Sequence, residues 1–183
     1  GAIIAEIKKR SPSRGMLRED VNHRQVASMY QDHGAAAISV LTDQHFFGVN
    51  ISDLSDIRKI VTLPILRKDF IIDDYQIYET KVTGGDALLL IAGILSDNQL
   101  TEFIDLTDAL GLSSLVEVHS ETDLDRAVAC GATMIGINNR NLHTFRTDIN
   151  ISLHMASRVP PGKVLVSESG IRTRQDIEML MKV

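Results

Sequence analysis

Along the chain, short β-rich apolar runs alternate with stretches whose apolar residues recur at helical spacing. Seven runs read as strands: Ile3 to Lys8, Ala37 to Leu41, Pro64 to Lys68, Ala87 to Ile91, Ser114 to His119, Met134 to Asn138 and Val164 to Glu168. Between them, sets such as Val26, Met29, Tyr30 and His33, or Leu100, Phe103, Ile104 and Leu110, fall on one face of a helix. Strand, helix, strand in this order predicts βαβ crossovers and a parallel sheet, because parallel neighbours need a long connection between them.

The helix ends carry matching signals. Ser96 with Gln99, Ser120 with Asp123 and Thr173 with Asp176 predict N-caps, in which a hydroxyl accepts orphan backbone N–H groups and the side chain three residues on reaches back. Gly34, Gly85, Gly111 and Gly131 follow periodic stretches and are expected to close them, where a residue without a β-carbon enters the left-handed conformation cheaply. With no composition break or Pro/Ser linker, the seven units predict one α/β domain over residues 1–183, a (β/α)8 TIM barrel rather than a doubly wound sheet. The count is one short of eight, and the seventh helix pattern, Ile177, Leu180 and Met181, ends close to Val183. The expectation is a barrel whose eighth β/α unit is missing from this chain. Its first and seventh strands would then offer open edges for self-association.

Composition narrows the chemistry. The longest apolar run, Ala87 to Leu95, is about half of the roughly 18 residues that suggest a membrane span. A formal charge of -5 without a long Lys/Arg run argues against nucleic acid or an anionic membrane as partner, so a cationic site must be local. Absence of Trp removes the usual stacking platforms as well. The single cysteine, Cys130, cannot form an internal disulfide and reads as a packing residue in a reducing compartment, and with no export signal a cytoplasmic location is expected. The histidines, His23, His33, His45, His119, His143 and His154, are scattered without ligand spacing, and read mostly as surface or packing residues rather than a metal site. No GxGxxG, GxxxxGK[ST] or GxSxG signature is present, so dinucleotide, ATP and α/β-hydrolase readings have no support.

Polar residues on otherwise apolar strands are the informative feature. Alternation puts Glu6 and Lys8 on one face of the first strand, and likewise groups Leu66 with Lys68, Leu115 with Glu117, Gly136 with Asn138 and Val166 with Glu168. Burying an unpaired charge is costly, and in a barrel the catalytic groups come from the C-terminal ends of several strands. Five such ends together predict an active site of ammonium and carboxylate groups suited to acid/base work. The loop Ser11-Pro12-Ser13-Arg14-Gly15 and the pair Ser169-Gly170 offer hydroxyls and N–H groups to an anion.

The segments IIAEIKKRSPSRG, LPILRKDFIID, SLVEVH, GINNRNL and VSESGI, in this order, resemble the strand-end motifs of the indole-3-glycerol phosphate synthase family. The resemblance implies a phosphate-binding barrel and a cofactor-independent, metal-free carboxy-lyase of tryptophan biosynthesis. Its substrate would be 1-(2-carboxyphenylamino)-1-deoxyribulose 5-phosphate, a phosphorylated small molecule. It further implies Lys68 as general acid, Glu117 as general base, Lys8 at the anthranilate carboxylate or as an aid to proton transfer, and Glu6 and Glu168 as electrostatic partners. Asn138 and Arg140 would hold hydroxyls and the carboxylate region, Ser11, Ser169 and Gly170 the phosphate, and Phe47 and Phe70 the anthranilate ring. Val49-Asn50 stands where the family pattern leads one to expect a second glycine and a serine after Phe46-Phe47-Gly48, and the family's amino-terminal extension and eighth-strand Gly-Ser turn have no counterpart here. A different phosphate-binding barrel, such as a phosphoribosylanthranilate isomerase, and a non-catalytic barrel fragment stay open as alternatives. So does fusion or association with another enzyme of the same pathway.

Overall fold

The computed structural model describes residues 1–8, 10–11, 15–16, 22–141 and 144–183, with side chains left aside at residues 10, 11, 15 and 16. The Ser11 side chain, Pro12, Ser13, Arg14 and His143 therefore lie outside the described residues, and the anion-binding expectation for that first loop with them.

Two compact units build the chain. The first comprises Gly1–Leu89 with Thr107–Ser113 and the second Leu90–Leu106 with Ser114–Val183. In the first, β1 (Ile4–Ile7), a small antiparallel pair β2 (Arg10–Ser11) and β3 (Gly15–Met16), α1 (His23–Asp32), β4 (Ala37–Leu41), α2 (Gln44–Phe47), α3 (Ile51–Arg58), β5 (Ile65–Lys68) and α4 (Tyr75–Thr83) lead into β6 (Ala87–Ile91). β1 pairs with β4, β4 with β5 and β5 with β6, all parallel, with Glu6 opposite Ser39 and Leu41 opposite Lys68. The helices cover one face of this sheet through a core of Ile7, Ala27, Ile38, Val40, Val49, Leu54, Ile57, Val61 and Ile65.

The chain enters the second unit within β6 and continues through α5 (Asp97–Ala109), β7 (Ser113–Val118), α6 (Glu121–Ala129), β8 (Met134–Asn138), α7 (Asn150–Ala156), β9 (Val164–Glu168) and α8 (Arg174–Leu180). β7 pairs with β8 and β8 with β9, again parallel, with Glu117 opposite Gly136 and Asn138 opposite Glu168. The seven runs read as strands are thus strands, each shifted by no more than one residue at an end. Alternating helices and parallel strands are the pattern of a (β/α) barrel.

The capping signals act as expected. Ser96 and Gln99 bond reciprocally, with Gln99 N donating to Ser96 Oγ at 3.3 Å and Ser96 N to Gln99 Oε1 at 3.1 Å, and Thr173 and Asp176 form a full capping box. One glycine assignment shifts. Gly84, not Gly85, takes the left-handed turn at the end of α4 (φ 92°), while Gly85 is needed for space, since a β-carbon there would lie 2.7 Å from Thr80 Cγ2. The departure at Val49-Asn50 has a local explanation too: Val49 is fully buried in the core, and Asn50 N donates to Asp53 Oδ2 at 2.8 Å to start α3.

Candidate active site

In the first unit the polar strand ends meet around one carboxylate. Glu6 of β1 forms ion pairs with Lys8, two residues on along the same face, and with Lys68 at the end of β5, whose Nζ lies 3.3 Å from Glu6 Oε2. Burial opposes the ionised form of Glu6, but the charges of Lys68 and Lys8 and their hydrogen bonds outweigh it and hold the carboxyl below its ordinary range. Beneath it, Tyr30 of α1 donates to the Glu6 carbonyl oxygen at 3.2 Å. Burial, with help from the Glu6 charge, raises this phenol above its usual value.

The opposite face of β5 is held by a residue that sequence reasoning missed. Arg67 is only 3% exposed, and its guanidinium pairs with Asp69 at 2.9 Å and Glu79 at 2.8 Å while donating to Thr42 Oγ1 and the Gln76 carbonyl. Thr42 in turn donates to Asp69 Oδ2 at 2.6 Å. Four polar partners, two just past the ends of β4 and β5 and two on α4, thereby fix the strand end that presents Lys68, a satisfied network that tolerates burial of the charge. Alternation alone places Arg67 away from the Lys68 face without revealing that carboxylates await it there.

Phe47 and Phe70 are joined by a third ring. Phe46 stands edge-on to Phe70 with centroids 5.9 Å apart and lies 6.4 Å from Phe47, and both Phe46 and Phe70 are exposed. The short helix α2 makes this possible: Asp43 caps it through Phe46 N at 2.7 Å, and Gly48 ends it with φ 73°. Phe46 was not singled out from the sequence, because a four-residue helix has too little periodicity to show which ring faces where.

The second unit gathers the other carboxylates. Glu117 of β7 is 5% exposed and Glu168 at the end of β9 is 8% exposed. Glu168 lies over Gly136 of the intervening strand, where a β-carbon would come within 2.1 Å of its Oε1. Glu117 Oε1 meets His119 Nε2 at 2.7 Å. Burial opposes the imidazolium, but the Glu117 hydrogen bond and the charges of Glu117, Asp123 and Glu168 outweigh it and raise His119 above the ordinary imidazole value. His119 had been read with the surface and packing histidines, although continuing the alternation Leu115, Glu117, His119 would have put it on the Glu117 face.

Beyond β8 and β9, Asn138 Oδ1 accepts from Arg140 N at 3.0 Å, and Arg140 bridges to Thr147. Buried Asn139 ties this loop to β9: its Nδ2 donates to Ser167 Oγ at 2.9 Å and to the Ser169 carbonyl at 3.1 Å, while its Oδ1 accepts from Ser152 N and Oγ. Ser169 and Gly170 both adopt left-handed backbone, with φ of 66° and 78°. For a serine that conformation is uncommon and must be held by its surroundings. Within each unit, then, the structure collects the residues that the strand pattern had set on one face.

Comparison with known proteins agrees with these motifs. A family model described as indole-3-glycerol phosphate synthase matches residues 1–183. The chain is 52% identical over 180 residues to the indole-3-glycerol phosphate synthase of Carboxydothermus hydrogenoformans, covering 98% of this chain and 68% of that protein. It is 49% identical over 177 residues to that of Endomicrobium trichonymphae, covering 97% and 69%. Among solved structures, the N-acetylmannosamine-6-phosphate 2-epimerase from Clostridium perfringens superposes with a TM-score of 0.71 over 99% of this chain and 81% of that one; at 15% identity this is a likeness of fold alone. A match along the whole chain, with Glu6, Lys68, Glu117 and Glu168 at the ends of their parallel strands, places this protein in the indole-3-glycerol phosphate synthase family.

Proposed function

We propose that this chain converts 1-(2-carboxyphenylamino)-1-deoxyribulose 5-phosphate into indole-3-glycerol phosphate, carbon dioxide and water, on a phosphate-binding (β/α) barrel scaffold. Three steps need three kinds of help. Closing the ring joins the carboxylate-bearing aromatic carbon to the ketone carbon, and the ketone oxygen takes a proton; Lys68 is the donor. The ring then carries positive charge until the carbon–carboxylate bond breaks and carbon dioxide leaves. Glu6 and Glu168 oppose that charge with fixed carboxylates, a stabilisation that needs no reorganisation at the moment of reaction. In the last step the hydroxyl takes a proton from Lys68, which has been recharged from solvent, and departs as water, while Glu117 removes a carbon-bound proton and the indole becomes aromatic.

The remaining residues bind. Lys8 meets the anthranilate carboxylate, Asn138 and Arg140 the hydroxyls and carboxylate region, and Phe47 and Phe70 the anthranilate ring. Ser169 and Gly170, with Ser11, take the phosphate. No described helix is long and apolar enough to cross a membrane, and a biosynthetic reaction on a phosphorylated metabolite fits the cytoplasm.

The observation that carries the reading is the pairing of Glu6 with both Lys8 and Lys68. One carboxylate that pairs with the ammonium groups following β1 and ending β5 keeps a proton donor in place. Steady-state turnover, followed by indole fluorescence, tests it. Lys68→Met should lower kcat by about a thousandfold or more while the far-ultraviolet circular dichroism stays unchanged, since the loss of a general acid alone costs roughly 10²–10⁴-fold. Wild-type turnover that survives this substitution would overturn the assignment of Lys68.

A further inference from the structure

We propose that His119 is a positioning residue for this reaction: its imidazole fixes one carboxylate oxygen of Glu117 and keeps that carboxylate charged beside Glu168, so that Glu117 enters each cycle as a base. The inference rests on the synthase reading and adds a residue to it.

Local geometry pins the imidazole. β7 ends at Val118, and the His119 backbone N–H donates to Asp123 Oδ2 at 3.2 Å, while Asp123 N donates to Ser120 Oγ at 3.1 Å. The start of α6 therefore clamps the His119 backbone on one side, and the strand clamps it on the other. From there Nε2 lies 2.7 Å from Glu117 Oε1, the length of a charge-assisted hydrogen bond. The imidazole side chain is 19% exposed against 6% for that of Glu117, so it is the better solvated member of the pair.

Charge explains why a histidine is useful here. Glu117 stands opposite Gly136 in register and the Glu168 carboxylate lies over that same glycine, so two buried carboxylates are neighbours, an arrangement that favours protonating one of them. A protonated Glu117 cannot accept the proton that dehydration releases. The groups acting on His119 are Glu117 from β7, Asp123 from α6 and Glu168 from β9, all acidic, and together they keep the imidazole cationic beyond the ordinary imidazole range. The cation in turn supports the ionised form of its neighbour.

Hydrogen bonding and charge can be separated by substitution. Wild type, His119→Ala and His119→Gln are compared by indole fluorescence as a function of pH, with kcat and KM resolved. His119→Ala is expected to lower kcat by about 10- to 100-fold with KM within about twofold, the signature of an interaction that matters in the transition state. His119→Gln, whose amide can still donate to Glu117, should regain most of that loss at neutral pH. In both variants the acid side of the kcat profile should move upward by about one pH unit, because neither restores the positive charge. An alanine variant with kcat within twofold of wild type, or an unmoved acid limb in the glutamine variant, would overturn the role of His119 while leaving the synthase reading intact. If the alanine variant fails to fold, the acid limb of the glutamine variant decides alone. Absence of wild-type turnover would overturn the synthase reading itself, and the role of His119 with it.

Discussion

Glu6 is a shared anion rather than half of an ordinary ion pair, and its removal exposes that. Glu6→Gln takes away the carboxylate that pairs with both Lys8 and Lys68. The proton donor then loses the anchor that positions it. The expected result is a kcat lowered by about 10- to 1000-fold, measurable in the same fluorescence assay. A variant with wild-type kcat would show that Glu6 is merely structural. Residues of this kind were legible because strand alternation is strict and a charge on a buried face stands out. Arg67, His119 and Phe46 were not. Arg67 needs Asp69 and Glu79 brought to it by a turn and a helix, and His119 lies one residue past the last strand pairing. Phe46 depends on a single helical turn. Each is decided by tertiary placement rather than by period.

At the level of elements, glycine and asparagine control how the strand ends are presented. Gly136 keeps the middle of β8 bare so that the Glu168 carboxylate can lie across it. Gly136→Ala is expected to push that carboxylate aside. The predicted outcome is a loss of about 10- to 100-fold in kcat, the usual consequence of shifting a catalytic group by an ångström, with a stability cost of about 1–3 kcal/mol in urea unfolding. A normal kcat would mean that Glu168 tolerates the move. Asn139 has the complementary task of tying the Ser169–Gly170 turn to α7 through Ser152 and Ser167. Asn139→Ala leaves several buried donors and acceptors without that partner, which costs about 1–3 kcal/mol. It should also raise KM several-fold with little change in kcat, because the left-handed Ser169 is no longer held for the phosphate; an unchanged KM would separate the network from substrate binding. Neither residue could have been assigned this work from the sequence. A glycine in a strand and an asparagine in an NNRN run are compatible with many loops, and only the register of β8 against β9 shows what lies over them.

Over the whole molecule, the parallel order of elements was readable because period and punctuation agree: apolar runs of strand length, helical spacing between them, and caps where the two meet. The division into two compact units was not, since it cuts through β6 and α5, where no Pro/Ser linker or change of composition marks it. One group in each unit gives a pH prediction, and the two have opposite signs. In the first, Glu6 is held below its ordinary value of 4.5, so its contribution to stability is complete above that pH and is lost as pH falls through the lowered folded-state value. In the second, His119 is raised above 6.5, so its contribution is complete below that pH and is lost as pH rises through the folded-state value. Both are fully present between 4.5 and 6.5. Amide hydrogen exchange, corrected for intrinsic rates and read on peptides from each unit, should show first-unit protection falling on the acid side of this window and second-unit protection falling on the alkaline side. Glu6→Gln should flatten the first limb and His119→Gln the second, each leaving the other in place. An alkaline limb that persists in His119→Gln would mean that another group sets it, and that the pairing with Glu117 contributes nothing to the stability of the unit that contains it.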